Sequence, residues 1–220
     1  MCLQLHATAQ SGSQRDGGYA KSVKLAGSLE PGCSRALFLD RDGVINVNHG
    51  YVHSTDNFDF IDGIFELAKI ASSGGYRIVV VTNQAGIGRG YYSERQFQEL
   101  TDWMCAQFEQ RGAPIDKVYF SPYHPTAGIG EYRKVEDTRK PGPGMIFRAE
   151  RELGLSLRRS ILIGDKPSDI QAGITAGVGR NLLFSSDVYP ELAGLPYIPV
   201  GALKEAIDWL DGAAAVLATR

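Results

Sequence analysis

Asp40 and Asp42 close an apolar run, ALFLDRDGVIN at residues 36–46, and Gly43 follows at once. A short apolar segment ending in Gly reads as a buried strand running into a loop. In a parallel sheet such loops face the crevice at the carboxyl ends of the strands, where ligands bind. A carboxylate placed there can attack phosphorus, ligate a metal or move a proton. Taken by itself Asp-x-Asp reads better as a turn, because Asp and Gly are ordinary turn residues.

Three further polar clusters follow along the chain, and together they change that reading. Thr82-Asn83-Gln84 ends the run VVVTNQ and leads into AGIGRG. A hydroxyl beside Gly-rich backbone N–H groups suits a phosphate oxygen, although alone it would only cap the next segment. It matches neither the P-loop nor the G-x-G-x-x-G pattern. Arg139-Lys140 precedes Pro141-Gly142-Pro143; two adjacent cations can neutralise a phosphate dianion, and in isolation they read as a solvated basic turn. The last cluster is ILIGDKPSDIQAG, with Asp165, Lys166 and Asp169. Asp169 can cap the following helix or hold a neighbour. Asp165 beside Asp40 would resist ionisation without a cation between them.

One chemistry needs all four clusters. A phosphate dianion repels an attacking carboxylate, and a divalent cation with oxygen ligands, a lysine, a hydroxyl and backbone N–H groups offset that repulsion. The set reads as a magnesium site for phosphoryl transfer. Asp40 would take the phosphoryl group as an aspartyl-phosphate that water hydrolyses. Asp42 would protonate the departing alcohol and then deprotonate the water.

The elements that must position these residues alternate along the chain. Strands are expected at 36–40, 77–82, 117–121, 160–164 and 181–184, and helices at 63–73, 93–111, 144–153, 168–176 and 202–209. Ser93 with Gln96 three residues on resembles a capping box. The alternation predicts an α/β fold, a doubly wound, Rossmann-like parallel sheet covered on both faces. Residues 1–34, rich in Gly, Ser and Gln and without periodicity, are expected to be a flexible extension, leaving 35–220 as a single domain. The stretch 121–143, rich in Pro and Gly, is expected to be a pocket-shaping loop.

Bulk properties exclude several classes. A chain of 220 residues with 43% hydrophobic and 22% charged residues fits one globular domain. Net charge −2 and pI near 6.1 leave no electrostatic footprint for nucleic acid or an anionic membrane. No apolar run reaches the roughly 18 residues of a membrane span, and the first residues lack a signal-peptide pattern. Cys2, Cys33 and Cys105 lack pairing or zinc spacing, which fits reduced thiols in the cytoplasm. Cys105 is expected in the core.

The order FLDRDG, TNQ, RKPGPGM, GDKPSD resembles the haloacid dehalogenase (HAD) superfamily of aspartate-nucleophile phosphatases. More narrowly, DRDGVINVNHGYVHSTDNFDFIDG and VVVTNQAGIGRGYYSERQF resemble the D-glycero-D-manno-heptose 1,7-bisphosphate 7-phosphatase group, with histidinol-phosphate phosphatases sharing much of the pattern. The likeness runs from about residue 36 to 178. It implies Asp40 as nucleophile and Asp42 as general acid/base. It implies magnesium held by Asp40, Asp165 and the backbone carbonyl of Asp42, with Thr82 and Lys140 holding the phosphoryl group. Arg41, Asn48, His49, Gly50, Tyr51, Asn83, Gln84, Arg139 and Lys166 would contact substrate. The resemblance also implies little or no separate cap domain, a monomer, and a place in heptose activation for surface polysaccharide such as lipopolysaccharide.

One departure stands out. Many members carry a structural zinc in the loop before RKP, bound by Cys-x-His and Cys-x-Cys. Here SPYHP and VEDTRKP put Ser121, Tyr123, Glu136 and Thr138 at those positions, and His124 alone cannot make a tetrahedral site. No zinc is expected, and the loop would be held by packing of Tyr119, Tyr123 and Tyr132. The competing readings are a histidinol-phosphate or other small phosphomonoester phosphatase and, remotely, a receiver-like phospho-Asp signalling domain. A receiver, however, carries its phospho-acceptor on a later strand and lacks an acid for a leaving alcohol.

Overall fold

The computed structural model describes residues 3–4 and 34–211. Its strands are β1 (Leu3–Gln4), β2 (Arg35–Leu39), β3 (Tyr76–Asn83), β4 (Lys117–Ser121), β5 (Ile161–Gly164), β6 (Arg180–Phe184) and β7 (Ile198–Val200). They form one sheet in the order β1-β4-β3-β2-β5-β6-β7, and every neighbouring pair is parallel. The helices are α1 (Ile64–Ser73), α2 (Ala85–Gly88), α3 (Glu94–Gln110), α4 (Gly144–Leu153), α5 (Pro167–Ala176) and α6 (Leu203–Ala206).

Alternation along the central strands makes two cores. Leu37, Leu39, Ile78 and Val80 face one cluster, with Ile64 and Leu67 of α1 and Phe97, Met104 and Phe108 of α3. Ala36, Phe38, Val79 and Val81 face the other, with Met145 and Ile146 of α4 and Ile170 of α5. This is the period-two reversal of side chains across a strand. Burying β2 and β3 on both faces explains their continuous apolar runs.

Strand order reverses around β2: β3 and β4 lie on one side, β5 to β7 on the other. The crevice between β2 and β5 is the topological switch point, where doubly wound sheets bind ligands. Asp40 leaves β2 there, and Asp165 leaves β5.

The five expected strands and five expected helices are present with shifts of a residue or two at most ends. Ser93 caps α3: its Oγ accepts from Gln96 N (3.2 Å), and Ser93 N donates to Gln96 Oε1 (2.9 Å). The expected helix at 202–209 is α6 continued by a 3₁₀ turn, Ile207–Trp209. Sequence periodicity missed β1, α2 and β7, which are too short to show a period. Leu3–Gln4, within the stretch expected to be a flexible extension, pairs with Lys117 and Val118 of β4. The rest of that extension up to residue 33, with Cys2 and Cys33, lies outside the described residues. Cys105 is buried in the core, as expected. Among the described residues no helix is long and apolar enough to cross a membrane.

Candidate active site

The segment after β2 folds back on itself before α1. Val47 N donates to Asp59 O (2.8 Å) and Ile61 N to Ile45 O (2.9 Å), closing a short flap. Phe58 and Phe60 pin its base against Trp103 of α3, with ring centroids 5.5 Å away in both cases. The flap carries Asn48, Gly50 and Tyr51 to the carboxyl edge of the sheet. Gly43 permits its start: φ is +102° there, and a Cβ would overlap the Asp165 carboxylate.

One constellation centres on Lys140, which is 3% exposed. Its ammonium reaches Asp40 Oδ1 (2.9 Å), Asp169 Oδ1 (2.5 Å) and Val81 O (2.8 Å). Those acceptors match the three protons an ammonium owns. Burial opposes its charge, but Asp169 and Asp40 outweigh that and raise its pKa above the ordinary lysine value. Asp169 also caps α5, accepting from Lys166 N (3.0 Å). Asn83 sets the Lys140 backbone by donating to Lys140 O and accepting from Lys140 N, both at 3.0 Å.

Asp165 is the misfit. Its Oδ1 is buried with no hydrogen-bond partner. Burial, then the nearby Asp40 carboxylate, pushes its pKa from 3.8 up to about 7. Asp40, Asp165 and Asp169 offer oxygens all within 4.8 Å of one another. Among the described residues this is the only such group of His, Cys, Asp or Glu. Crowded carboxylates with an orphaned oxygen suit a hard divalent cation.

Asp42, two residues beyond Asp40, has entirely different company. Arg41 Nη2 donates to both its oxygens (2.9 and 2.8 Å), Asn46 Nδ2 to Oδ1 (3.1 Å) and Gln84 Nε2 to Oδ2 (3.0 Å).

A cavity of about 530 Å³ opens between these groups. Of the expected residues it is lined by Asp40, Asp42, Asn48, Gly50, Tyr51, Thr82, Asn83, Gln84, Arg139, Lys140 and Lys166. Two expected substrate contacts, Arg41 and His49, do not line this cavity. Arg41 is 1% exposed; its Nη2 donates to Asp42 and to Val52 O (2.6 Å), and its buried Nη1 has no hydrogen-bond partner. His49 lies off the cavity, its exposed Nε2 2.8 Å from Asp59 Oδ2. Tyr92, Ser168 and Asp169 also line the cavity. Asp169 was legible as a helix cap, whereas Tyr92, in the run GYYS, carried no signal separating it from its exposed neighbour Tyr91.

The 121–143 loop is held by aromatic and charged side chains. Lys134 Nζ sits 4.2 Å over the Tyr123 ring and pairs with Glu136 (3.0 Å). Tyr132 OH donates to Glu94 of α3 (3.0 Å), and its ring lies 6.1 Å from that of Tyr123. The loop holds Arg139, whose Nη1 donates to Tyr123 O (3.0 Å). Tyr119 does not serve this loop: it is buried on β4, and its hydroxyl donates to Glu152 of α4 (2.9 Å).

A family model described as HAD-hydrolase-like matches residues 137–191. The chain is similar to D-glycero-alpha-D-manno-heptose-1,7-bisphosphate 7-phosphatase of Burkholderia mallei, 54% identical over 81% of this chain and 95% of that protein. It is 43% identical to D-glycero-beta-D-manno-heptose-1,7-bisphosphate 7-phosphatase of Escherichia coli K12, over 80% of this chain and 87% of that one. Among solved structures, a HAD-like phosphatase from Mesorhizobium loti superposes with TM-score 0.73 at 34% identity, over 86% of this chain and 90% of the other. D,D-heptose 1,7-bisphosphate phosphatase from B. bronchiseptica, complexed with magnesium and phosphate, gives TM-score 0.68 at 26% identity, over 84% of this chain and 99% of that one. Motif order, switch-point site and these likenesses agree: the chain is a phosphomonoester hydrolase belonging to the heptose 1,7-bisphosphate 7-phosphatase family of HAD-like hydrolases.

Proposed function

We propose that this protein is a magnesium-dependent phosphatase that removes the 7-phosphate of D-glycero-D-manno-heptose 1,7-bisphosphate by way of an aspartyl-phosphate on Asp40. The observation that carries the reading is the meeting of Asp40, Asp42, Thr82 and Lys140 around one cavity. Asp40 Oδ1 is occupied by Lys140 Nζ and by Arg41 N–H (2.8 Å), which leaves Oδ2 to attack phosphorus. Thr82 Oγ1 accepts from Gln84 Nε2 (2.9 Å), so its own hydrogen is available to a phosphoryl oxygen. Lys140 balances the carboxylate charge with all three protons engaged, so any contact with phosphate shares one of them. As the phosphorus–O7 bond breaks, Asp42 gives its proton to O7; it then takes one from the water that releases phosphate and frees Asp40.

Asp40 and Asp165, with the Asp42 backbone carbonyl, would hold the magnesium ion. When bound it supplies charge neutralisation for the transferring phosphoryl group. The orphaned Asp165 oxygen supports this. In the 121–143 loop, hydroxyls, a phenol and a carboxylate replace the thiolate–imidazole donors of a structural zinc, so we expect no zinc there. A monomer acting in the cytoplasm, supplying heptose for surface polysaccharide, completes the reading.

The relative with 54% identity is named for the α anomer, and we propose α as the preferred form. The test is a kinetic screen over both anomers of the bisphosphate, histidinol phosphate and simple phosphomonoesters, with magnesium. The α bisphosphate should exceed the simple esters by about a hundredfold or more in kcat/KM. Parity with simple esters overturns the substrate assignment, and a lead for histidinol phosphate replaces it.

A further inference from the structure

Gln84, 1% exposed, joins three groups through one amide. Its Nε2 donates to Asp42 Oδ2 (3.0 Å) and Thr82 Oγ1 (2.9 Å), using both amide hydrogens. Its Oε1 accepts from Tyr92 OH at 2.6 Å. Turned over, the amide would set its carbonyl oxygen against the Asp42 carboxylate, and Tyr92 would no longer have an acceptor. The Asp42 carboxylate, which can only accept, selects the orientation in which the amide donates, and the Tyr92 hydroxyl anchors it by donating to Oε1.

Tyr92 is itself fixed. It is 5% exposed, and its ring stacks on His53 with centroids 5.1 Å apart and planes 5° from parallel. Gly86 also lies so close that a Cβ there would overlap the ring. Burial raises the phenol above its ordinary pKa, so it remains a donor. The hydrogen directions then follow one after another: Tyr92 to Gln84, Gln84 to Asp42 and Thr82, and Thr82 out to the phosphoryl group.

We propose that Tyr92 is a positioning residue for proton transfer, acting through Gln84 to hold Asp42 where it can protonate the leaving alcohol. This rests on the assignment of Asp42 as acid and base. Gln84, expected from sequence to contact substrate, is here the link in that chain. Arg41 and Asn46 grip Asp42 independently, so losing the Tyr92 hydroxyl should impair the transfer without abolishing it.

The test uses leaving groups. The ratio kcat/KM reports events up to the first irreversible step, cleavage of the phosphorus–oxygen bond. An alkyl leaving group needs a proton as it departs, whereas p-nitrophenolate does not. Tyr92→Phe keeps the ring and its stacking and removes one hydroxyl. On the best alkyl phosphate of the screen it should lose about tenfold in kcat/KM, and on p-nitrophenyl phosphate less than about twofold, with KM nearly unchanged. Equal losses on both substrates, a loss confined to KM, or no loss on the alkyl ester overturns the proposal. If Tyr92→Phe melts below the assay temperature, Gln84→Met is read through the same ratio between the two substrates. Asp42→Asn separates the two claims, because it should show the same split at about a hundredfold or more. No split in Asp42→Asn overturns the acid/base assignment and this inference with it; a split there and none in Tyr92→Phe overturns the positioning role alone.

Discussion

Asp40 and Asp42 are the same residue type two positions apart, and their surroundings could hardly differ more. Asp40 stands among other carboxylates, Asp165 and Asp169, and one buried ammonium. Asp42 stands among donors only: a guanidinium and two amides. The first setting carries excess negative charge and calls for a cation; the second is already satisfied by the protein. Successive residues on a strand point to opposite sides, so residues two apart share a side. The divergence comes from the loop that Gly43 opens, which turns Asp42 toward the flap and β3 while Asp40 stays over the switch point.

The sharpest way to break this contrast is Asp40→Asn. It should lower kcat by about a thousandfold or more, as loss of a nucleophile does. Because it removes one of three crowded carboxylates, the melting temperature in chelator should hold or rise. Activity near that of wild type would refute the nucleophile assignment, and a collapse of the fold would refute the charge argument.

Metal removal sharpens the same contrast through pH. The folded, metal-free protein keeps a proton on Asp165 up to about pH 7, whereas the unfolded chain loses it near the ordinary 3.8. Stability of the metal-free fold therefore falls as pH rises through that window. A bound cation favours the ionised carboxylates and cancels the loss. Chelation should abolish activity and magnesium should restore it. The rise in melting temperature on adding magnesium should be larger at about pH 8 than at about pH 5; calorimetry showing an equal or reversed difference would contradict the cluster's role.

The smallest effect tests a charged cluster away from the cavity. Burial alone would raise the Glu152 carboxyl, but hydrogen bonds from Lys117, Arg148 and Tyr119 hold it down at about 2 against an ordinary 4.5. A depressed carboxylate stabilises the fold above 4.5, and that contribution disappears as pH falls toward 2. Glu152→Gln should cost about 1 kcal/mol after solvent screening. It should flatten the acid side of the stability curve and leave kcat unchanged, checked by urea titration across pH.

The chain order of the strand-end motifs was readable because each motif is contiguous: an apolar run, then a polar residue, then a Gly or Pro. That local pattern sufficed for the parallel sheet, the two covered faces and the candidates Asp40, Asp42, Thr82, Lys140 and Asp165. It was insufficient where function depends on pairing between distant segments. Arg41 reads as a substrate contact, yet it is buried, with Asp42 and Val52 O both accepting from it. Lys140 reads as a phosphate ligand, yet its acceptors come from β3, α5 and the end of β2. Tyr92 is one of two adjacent tyrosines, and only the packing of His53 and Gly86 around it marks it out.

The sequence by itself determined which chemistry this protein can perform, since residue type sets what a side chain can donate, accept or bind. The tertiary structure decided which of those groups are left to perform it, because hydrogen bonds and charge pairs between residues far apart in the chain commit some donors to the protein and leave others for the substrate.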